Sequence, residues 1–443
     1  MVFSDLLVLI GEYAMLLVYV LPIAIAVLWT HYRKRQKYEE HKQLLEENVK
    51  AGLTEPASLH PLIDPNLCIG CNSCAEVCPE GDVIGVIEEK AALINPADCI
   101  GHGACAEACP VEAITLVFGT ERRGVDIPYV NENFETNVPG IFIAGELGGM
   151  GLIRNAIEQG RQAMESIRQK PGLGQGNDLD LIIIGAGPAG FSATLGAHLN
   201  KLRYVTLEQE TLGGTVSHFP RGKLVMTQPA ELPIVGKVQF TEISKEELLG
   251  FWHKVATKTG IKVNFKERME SILRTQTGFE VTTTKSSYRT KNILLTIGRR
   301  GTPRKLGVPG EQLTKVVYRL ADPEQYRNQA VLVVGGGDSA LEAAASIAEE
   351  PGTQVILSYR SGAFTRAKEK NRKRVSDAEK NGNLAVLLKS NVKQILKDKV
   401  VIDHDGKMIE ANNDAVIVSA GGILPTGMLK ELGISIETKH GTI

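Results

Sequence analysis

Eight positions between residues 68 and 109 have residue types and spacing that could do chemistry. "CIGCNSCAEVCP" (68–79) sets Cys68, Cys71, Cys74 and Cys78 in the pattern C-x2-C-x2-C-x3-C-P. "CIGHGACAEACP" (99–110) repeats it with Cys99, His102, Cys105 and Cys109. The wider segments 63–84 and 94–115 superpose at a constant offset of 31 residues, each reading as strand, ligand loop and short helix. Soft thiolates at this spacing suit iron–sulfur better than zinc. So short a unit buries little apolar surface and depends on its metal for stability. All 7 cysteines fall in this region, and an odd, clustered set points to metal ligation in a reducing compartment rather than to disulfides.

Two glycine turns announce a second chemistry. In "DLIIIGAGPAG" (180–190), Gly185-x-Gly187-x-x-Gly190 follows a buried strand and opens a helix. Such a turn lets the backbone approach a pyrophosphate, which then sits at the helix N-terminus. Glu208, in "VTLEQE", stands where an acid would take a ribose hydroxyl. The second turn, in "AVLVVGGGDSALEAA" (330–344), is Gly335-x-Gly337-x-x-Ala340. Beyond its next strand come Arg360 and Arg366 in place of an acid. Basic groups there favour a 2′-phosphate, so NADPH is expected ahead of NADH. The alternative is a solvated basic loop, for Lys368, Lys370, Arg372, Lys373 and Arg374 crowd nearby and some of them read as plain surface.

The elements that must hold these groups set the fold class, α/β. Two strand–turn–helix starts imply two Rossmann-like, doubly wound dinucleotide-binding domains. Thr-rich alternation such as "GFEVTTT" (278–284) suits antiparallel strands between them. A chain of 443 residues, 43% apolar, has room for several cores. Lys+Arg at 50 against Asp+Glu at 51 leaves no basic field for a nucleic acid, so no nucleic-acid partner is expected. Leu6 to Trp29 is apolar apart from Glu12 and is followed by "HYRKRQK". That pattern predicts a single-pass transmembrane helix with the rest of the chain in the cytoplasm. Glu12 reads as an interfacial carboxylate, with contact to quinone left open.

The cysteine runs resemble bacterial two-cluster ferredoxins, in which the fourth cysteine of each run ligates the other cluster. The resemblance implies a first 4Fe-4S cluster on Cys68, Cys71, Cys74 and Cys109. It implies a second on Cys99, Cys105 and Cys78, with His102 in the remaining place. There the pattern fails. Either the imidazole ligates a fourth iron and raises that cluster's potential, or it does not and a 3Fe-4S cluster remains. Ligation is favoured, because His is a competent iron ligand in Rieske centres.

"LIIIGAGPAG", the "LGGT" of Leu212 to Thr215, "TIGRRGTPRKLGVPGE" and "GGGDSA" resemble the thioredoxin-reductase-like flavoproteins. The bacillithiol-disulfide-reductase-like and ferredoxin–NADP reductase branches are the nearest in pattern. The resemblance implies FAD, with Gly213, Gly214 and Thr215 at its site. "TNVPGIFIAGE" and "IRNAIEQGRQA" (136–146, 153–163) are similar to the family's closing segment. Gly145 and Glu146 would then contact the ribityl–phosphate side, and the helix starting near Arg154 and Asn155 would face the flavin ring.

That closing segment precedes the opening one, so the flavoprotein is read as circularly permuted, its old termini joined by "QKPGLGQGN" (169–177). The rival account has residues 119–170 completing a neighbouring subunit. The expected organisation is a transmembrane anchor (1–30), a charged stalk and linker (31–61), and a ferredoxin domain (62–118). The permuted closing segment (119–170), linker (171–178), FAD domain (179–300), NAD(P)H domain (301–424) and a return to the FAD domain (425–443) follow.

Thioredoxin reductases carry a C-x-x-C pair where this chain reads "YRLA" (318–321). The expected function is therefore an FAD-dependent NAD(P)H oxidoreductase, anchored in a membrane. It would exchange electrons through two iron–sulfur clusters with a redox protein or membrane electron carrier. A low-molecular-weight disulfide reductase and a redox-sensing anchor protein are the alternatives, and a homodimer stays open.

Overall fold

The computed structural model describes residues 2–56, 59–149, 151–226, 229–240, 243–299 and 301–441, with side chains in the first helix described from Tyr19 onward. The chain divides into two compact units. The first comprises 1–54, 61–96 and 103–115; the second comprises 55–60, 97–102 and 116–443.

The first unit opens with one long helix, α1 (Val2–Lys50). Side chains of the apolar stretch before Tyr19, Glu12 included, lie outside the described residues. Among the described residues no helix is long and apolar enough to cross a membrane. This overturns the expected single-pass anchor and the membrane localisation built on it. The described apolar run from Tyr19 ends at the basic residues after Thr30, well short of the ~20 residues a bilayer requires. Nor is the segment after it solvated all round. His41 and Asn48 are buried, and the Asn48 amide donates to the Ile94 carbonyl at 2.8 Å.

Short helices α2 (Ser73–Glu76) and α3 (Ala104–Glu107) each follow a left-handed residue, Asn72 (φ 70°) and Gly103 (φ 85°). These two positions are equivalent in the repeat, so the duplication extends to backbone conformation. Strands β1 (Ile84–Ile87) and β2 (Lys90–Leu93) form a hairpin in the register Ile84↔Leu93 to Ile87↔Lys90. Val83, Ile84, Ile94 and Ala113, in and near it, are buried.

In the second unit, the closing segment supplies β3 (Val125–Pro128), β4 (Ile141–Ile143) and α4 (Ile153–Arg168). The first glycine turn joins β5 (Leu179–Ile184) to α5 (Pro188–Leu199), and β6 (Tyr204–Glu208) follows. Short β7 (Asn264–Phe265) precedes the meander β8 (Met269–Arg274), β9 (Phe279–Thr283) and β10 (Ser287–Leu295). The sheet runs β7-β6-β5-β10-β9-β8, and β4 pairs in parallel with β10 as its seventh strand. Leu181 to Ile183, apolar without alternation, are fully buried, as a central parallel strand covered on both faces requires. Helix α4 crosses α5 closely because Gly160 abuts the Ala189 carbonyl, where any side chain would collide.

The second dinucleotide domain has the parallel order β11-β15-β12-β13-β14. These are β11 (Val316–Val317), β12 (Ala330–Val334), β13 (Gln354–Ser358), β14 (Leu384–Leu387) and β15 (Ala415–Val418). Helices α7 (Asp338–Ala348) and α8 (Glu369–Lys380) pack on it, α6 (Lys245–Thr259) belonging to the preceding domain. The last strand, β16 (Ile436–Lys439), pairs antiparallel with β3, and the Gly441 N–H donates to the Phe118 carbonyl at 2.8 Å. Residues 119–170 thus pair with strands of their own chain, β4 with β10 and β3 with β16. The glycine-rich linker is held down by side chains. Asp180 accepts from the Gly174 N–H at 2.7 Å, Arg203 donates to the Gln175 carbonyl at 2.9 Å, and Lys291 donates to the Gly172 carbonyl.

Candidate functional site

In the first unit, Cys68, Cys71, Cys74 and Cys109 line one pocket, walled by Ile69, Ala91, Val111, Ala113 and Ile114. Cys109 comes from the second run and the other three from the first. Backbone N–H groups point at two of the sulfurs: Ala91 to Cys68 and Ala113 to Cys109, each at 3.3 Å. The Cys71 thiol is exposed and donates to the Ser73 hydroxyl at 3.4 Å, and hydrogen bonds from Ser73 hold its pKa below the ordinary thiol value. Burial pushes the Cys74 thiol up to about 11 and raises Cys78 as well. Buried thiols of this kind ionise readily only against a positive centre.

Among the described residues no three His, Cys, Asp or Glu side chains converge closely enough to hold a single metal ion. The four thiols surround a space instead. Apolar walls, four soft donors and amide hydrogens aimed at sulfur fit a polynuclear iron–sulfur group. Cys78 and Cys105, both half-buried, belong to the first unit, whereas Cys99 and His102 belong to the second. There Cys99 is buried with its sulfur 3.9 Å from the Leu59 carbonyl, and His102 is half-buried.

At the first glycine turn the close approaches are all present. Gly185 is left-handed (φ 105°), a Cβ on it would come within 2.6 Å of the Thr296 carbonyl, and one on Gly190 would collide with the Gly185 carbonyl. Gly187 caps α5 without a side-chain hydrogen bond, and Pro188 opens the helix, leaving its first amides for a ligand. Glu208, 5% exposed, accepts from the Ala186 N–H at 2.8 Å and the Glu210 N–H at 2.9 Å, while burial raises its pKa.

Two other segments come to this turn. The Gly214 Cβ position is 3.1 Å from the Gly187 Cα, and that of left-handed Gly145 is 3.0 Å from the Ala189 Cβ. Glu146 and Thr215 meet over Gly298, whose Cβ position is 3.6 Å from Glu146 Oε2 and 4.0 Å from Thr215 Oγ1. Arg154, exposed, and Asn155, half-buried, sit in the first turn of α4, which also lacks a side-chain cap. The glycine cradle, the buried acid and the uncapped helix fit a flavin dinucleotide.

Residue-type reasoning missed three partners here. The Gln159 amide oxygen accepts from the Gly145 N–H at 2.8 Å, and the Thr296 hydroxyl donates to the Gly185 carbonyl at 2.8 Å. The half-buried Arg299 guanidinium donates to the Asp126 carbonyl at 2.8 Å. Each acts through a contact remote in sequence, for which no local signal exists.

At the second turn Gly335 is also left of the usual range (φ 149°), with its Cβ position 2.5 Å from the Ser419 carbonyl. Ala340 is fully buried. Gly337 has nothing within 4 Å of its Cβ position, and α7 has no side-chain cap. An open, uncapped helix start fits a phosphate. Asp338 does not face that opening alone: it accepts from the Lys368 N–H at 2.8 Å and the Asn371 amide at 2.7 Å, tying α7 to the start of α8. Arg360 and Arg366 are exposed. Burial and the nearby Arg366 guanidinium hold the Arg123 pKa below its ordinary value, with a further part from Arg299.

Residues 182–442 match the family model of pyridine nucleotide-disulphide oxidoreductases, and residues 60–110 match that of a 4Fe-4S dicluster domain. A ferredoxin–NADP reductase from Ignicoccus hospitalis is 30% identical over 270 residues, 59% of this chain and 83% of that protein. The bacilliredoxin reductase Bdr of Bacillus subtilis is 26% identical over 268 residues, again 59% of this chain and 82% of that protein. Among solved structures, the bacillithiol disulfide reductase Bdr of Staphylococcus aureus superposes with a TM-score of 0.52 at 24% identity, over 59% of this chain and 82% of that one. The chain belongs to the pyridine nucleotide-disulphide oxidoreductase family, as a thioredoxin-reductase-like flavoprotein enzyme that carries a 4Fe-4S dicluster ferredoxin domain.

Proposed function

We propose that this enzyme exchanges electrons between NADPH and a single-electron redox protein. When bound, FAD supplies the conversion between a hydride pair and single electrons, and iron–sulfur clusters carry the electrons one at a time. Gly185, Gly187, Gly190, Glu208, Gly213, Gly214, Thr215, Gly145 and Glu146 would hold the flavin nucleotide, with the start of α4 at Arg154 and Asn155 turned to it. Gly335, Gly337 and Ala340 would hold the nicotinamide nucleotide, with Arg360 and Arg366 selecting the 2′-phosphate. Cys68, Cys71, Cys74 and Cys109 would hold the first cluster; Cys99, His102, Cys105 and Cys78 the second. One observation carries the reading: four thiols from both cysteine runs line a single cavity, in a chain whose other unit has two uncapped glycine turns.

The test is anaerobic. EPR spectra of the holoprotein as isolated, after NADPH and after dithionite are expected to show iron–sulfur signals, at least one reduced by NADPH. A signal reached by dithionite alone would reverse the direction of flow, and no iron–sulfur signal under any condition would sink the reading. A three-iron signal as isolated would mean that His102 does not ligate. The second reading, reduction of a low-molecular-weight disulfide, is favoured by the likeness to bacilliredoxin reductase. Against it, no cysteine lies beyond Cys109 in the sequence. NADPH oxidation driven by such a disulfide, and unchanged when iron is absent, would establish it.

A further inference from the structure

The tip of the β1–β2 hairpin grips the first ligand loop at three points. The Lys90 ammonium donates to the Cys68 carbonyl at 2.7 Å. The Ala91 N–H points at the Cys68 sulfur, and Ala91 also lines the cysteine cavity. The Glu89 carbonyl lies hard against Gly70, leaving no room for a Cβ there. Glu88 (φ 50°) and Glu89 (φ 62°), neither a glycine, are both left-handed. They are the two central residues of the hairpin turn between Ile87 and Lys90, where a type I′ turn takes positive φ at both positions, and this turn delivers Lys90 to the ligand loop.

The repeat supplies an internal comparison. Gly101 is the counterpart of Gly70, but its Cβ position faces the Leu59 carbonyl at 2.7 Å, and the Cys99 sulfur is 3.9 Å from the same oxygen. Beside the first loop stand the Lys90 ammonium and the Ala91 N–H, and beside the second stands the Leu59 carbonyl.

We propose that Lys90 is a positioning residue that raises the reduction potential of the first iron–sulfur site, its charge fixed there by the hydrogen bond to the Cys68 carbonyl. The proposal rests on the reading of Cys68, Cys71, Cys74 and Cys109 as cluster ligands. A positive charge held beside a ligand residue stabilises the state with one more electron. An N–H donated to sulfur works in the same direction by drawing off thiolate charge. Lys90 is exposed, so salt screens part of this effect, while the hydrogen bond to the Cys68 carbonyl keeps the charge beside the loop.

The experiment is an EPR-monitored redox titration of the full-length holoprotein, comparing wild type, Lys90→Met and Lys90→Arg. The first-site signal is identified as the one lost in Cys109→Ser. Lys90→Met should shift that midpoint down and leave the other cluster where it was, and Lys90→Arg should stay near wild type. An unchanged midpoint in Lys90→Met, equal shifts of both clusters, or an equal shift in Lys90→Arg would overturn the proposal. Should Lys90→Met lose its iron, the wild-type midpoint is followed against salt: a fall on screening supports the charge, and a constant value rules it out. Absence of both signals from wild type would remove the cluster reading itself, a different outcome from clusters whose midpoints ignore residue 90.

Discussion

At Cys109 the second cysteine run lends a thiol to a cavity that the first run otherwise lines. Cys109→Ser is expected to remove about one cluster's worth of iron while leaving flavin absorbance intact, as iron analysis alongside the visible spectrum would show. Gly337 allows a cleaner separation of binding from folding. Its Cβ position is open and its φ of −101° is ordinary, so Gly337→Ala should leave thermal stability unchanged. If a phosphate occupies that opening, KM for NADPH should rise about tenfold or more, the equivalent of ~1.4 kcal/mol. An unchanged KM would place the nucleotide elsewhere.

Elements are held here by side chains that answer backbone needs across loops. Glu311 is half-buried, which alone would raise its pKa, yet the Leu306 N–H at 2.5 Å, the Gly307 N–H at 2.8 Å and the Tyr318 hydroxyl at 2.9 Å hold it below the ordinary carboxylate range. A depressed carboxylate stabilises the fold above its unfolded pKa of ~4.3, and that stability is lost as pH falls through the folded value. Glu311→Gln should therefore cost about 1 kcal/mol at neutral pH, solvent screening included, and the gap to wild type should close in acid. Denaturant melts across pH 3–7 on the order of one-unit steps would read this out. The same principle governs the linker, where Asp180, Arg203 and Lys291 anchor residues 172–176 that composition alone marks as a loose tether.

For the whole molecule the permutation makes a direct prediction. Gly441 hydrogen-bonds to Phe118, and β16 pairs with β3, so the end of the described chain lies beside the start of the closing segment. Joining residue 441 to residue 119 through a short linker, and opening the chain at Gly174, should yield a flavoprotein without the ferredoxin domain. It should bind FAD and oxidise NADPH with an artificial acceptor; failure to bind flavin would mean that the native order is required for folding.

Much of this architecture was legible because its chemistry is written in local spacing. The cysteine runs, the two glycine turns and Glu208 are short-range patterns, since ligand loops and phosphate turns impose backbone demands within a few residues. The α/β class followed from the strands and helices on either side of those turns. The apolar N-terminal pattern misled, because the membrane reading judged hydrophobicity over the whole of residues 6–29, whereas the described helix shows no span long and apolar enough to cross. Tertiary structure alone decided that β4 joins β10 of its own chain, that Gln159 holds Gly145, and that Lys90 sits on Cys68. The physical reason is that local sequence sets what each turn and helix start can bind, while contacts between segments tens to hundreds of residues apart exist only once the chain has folded.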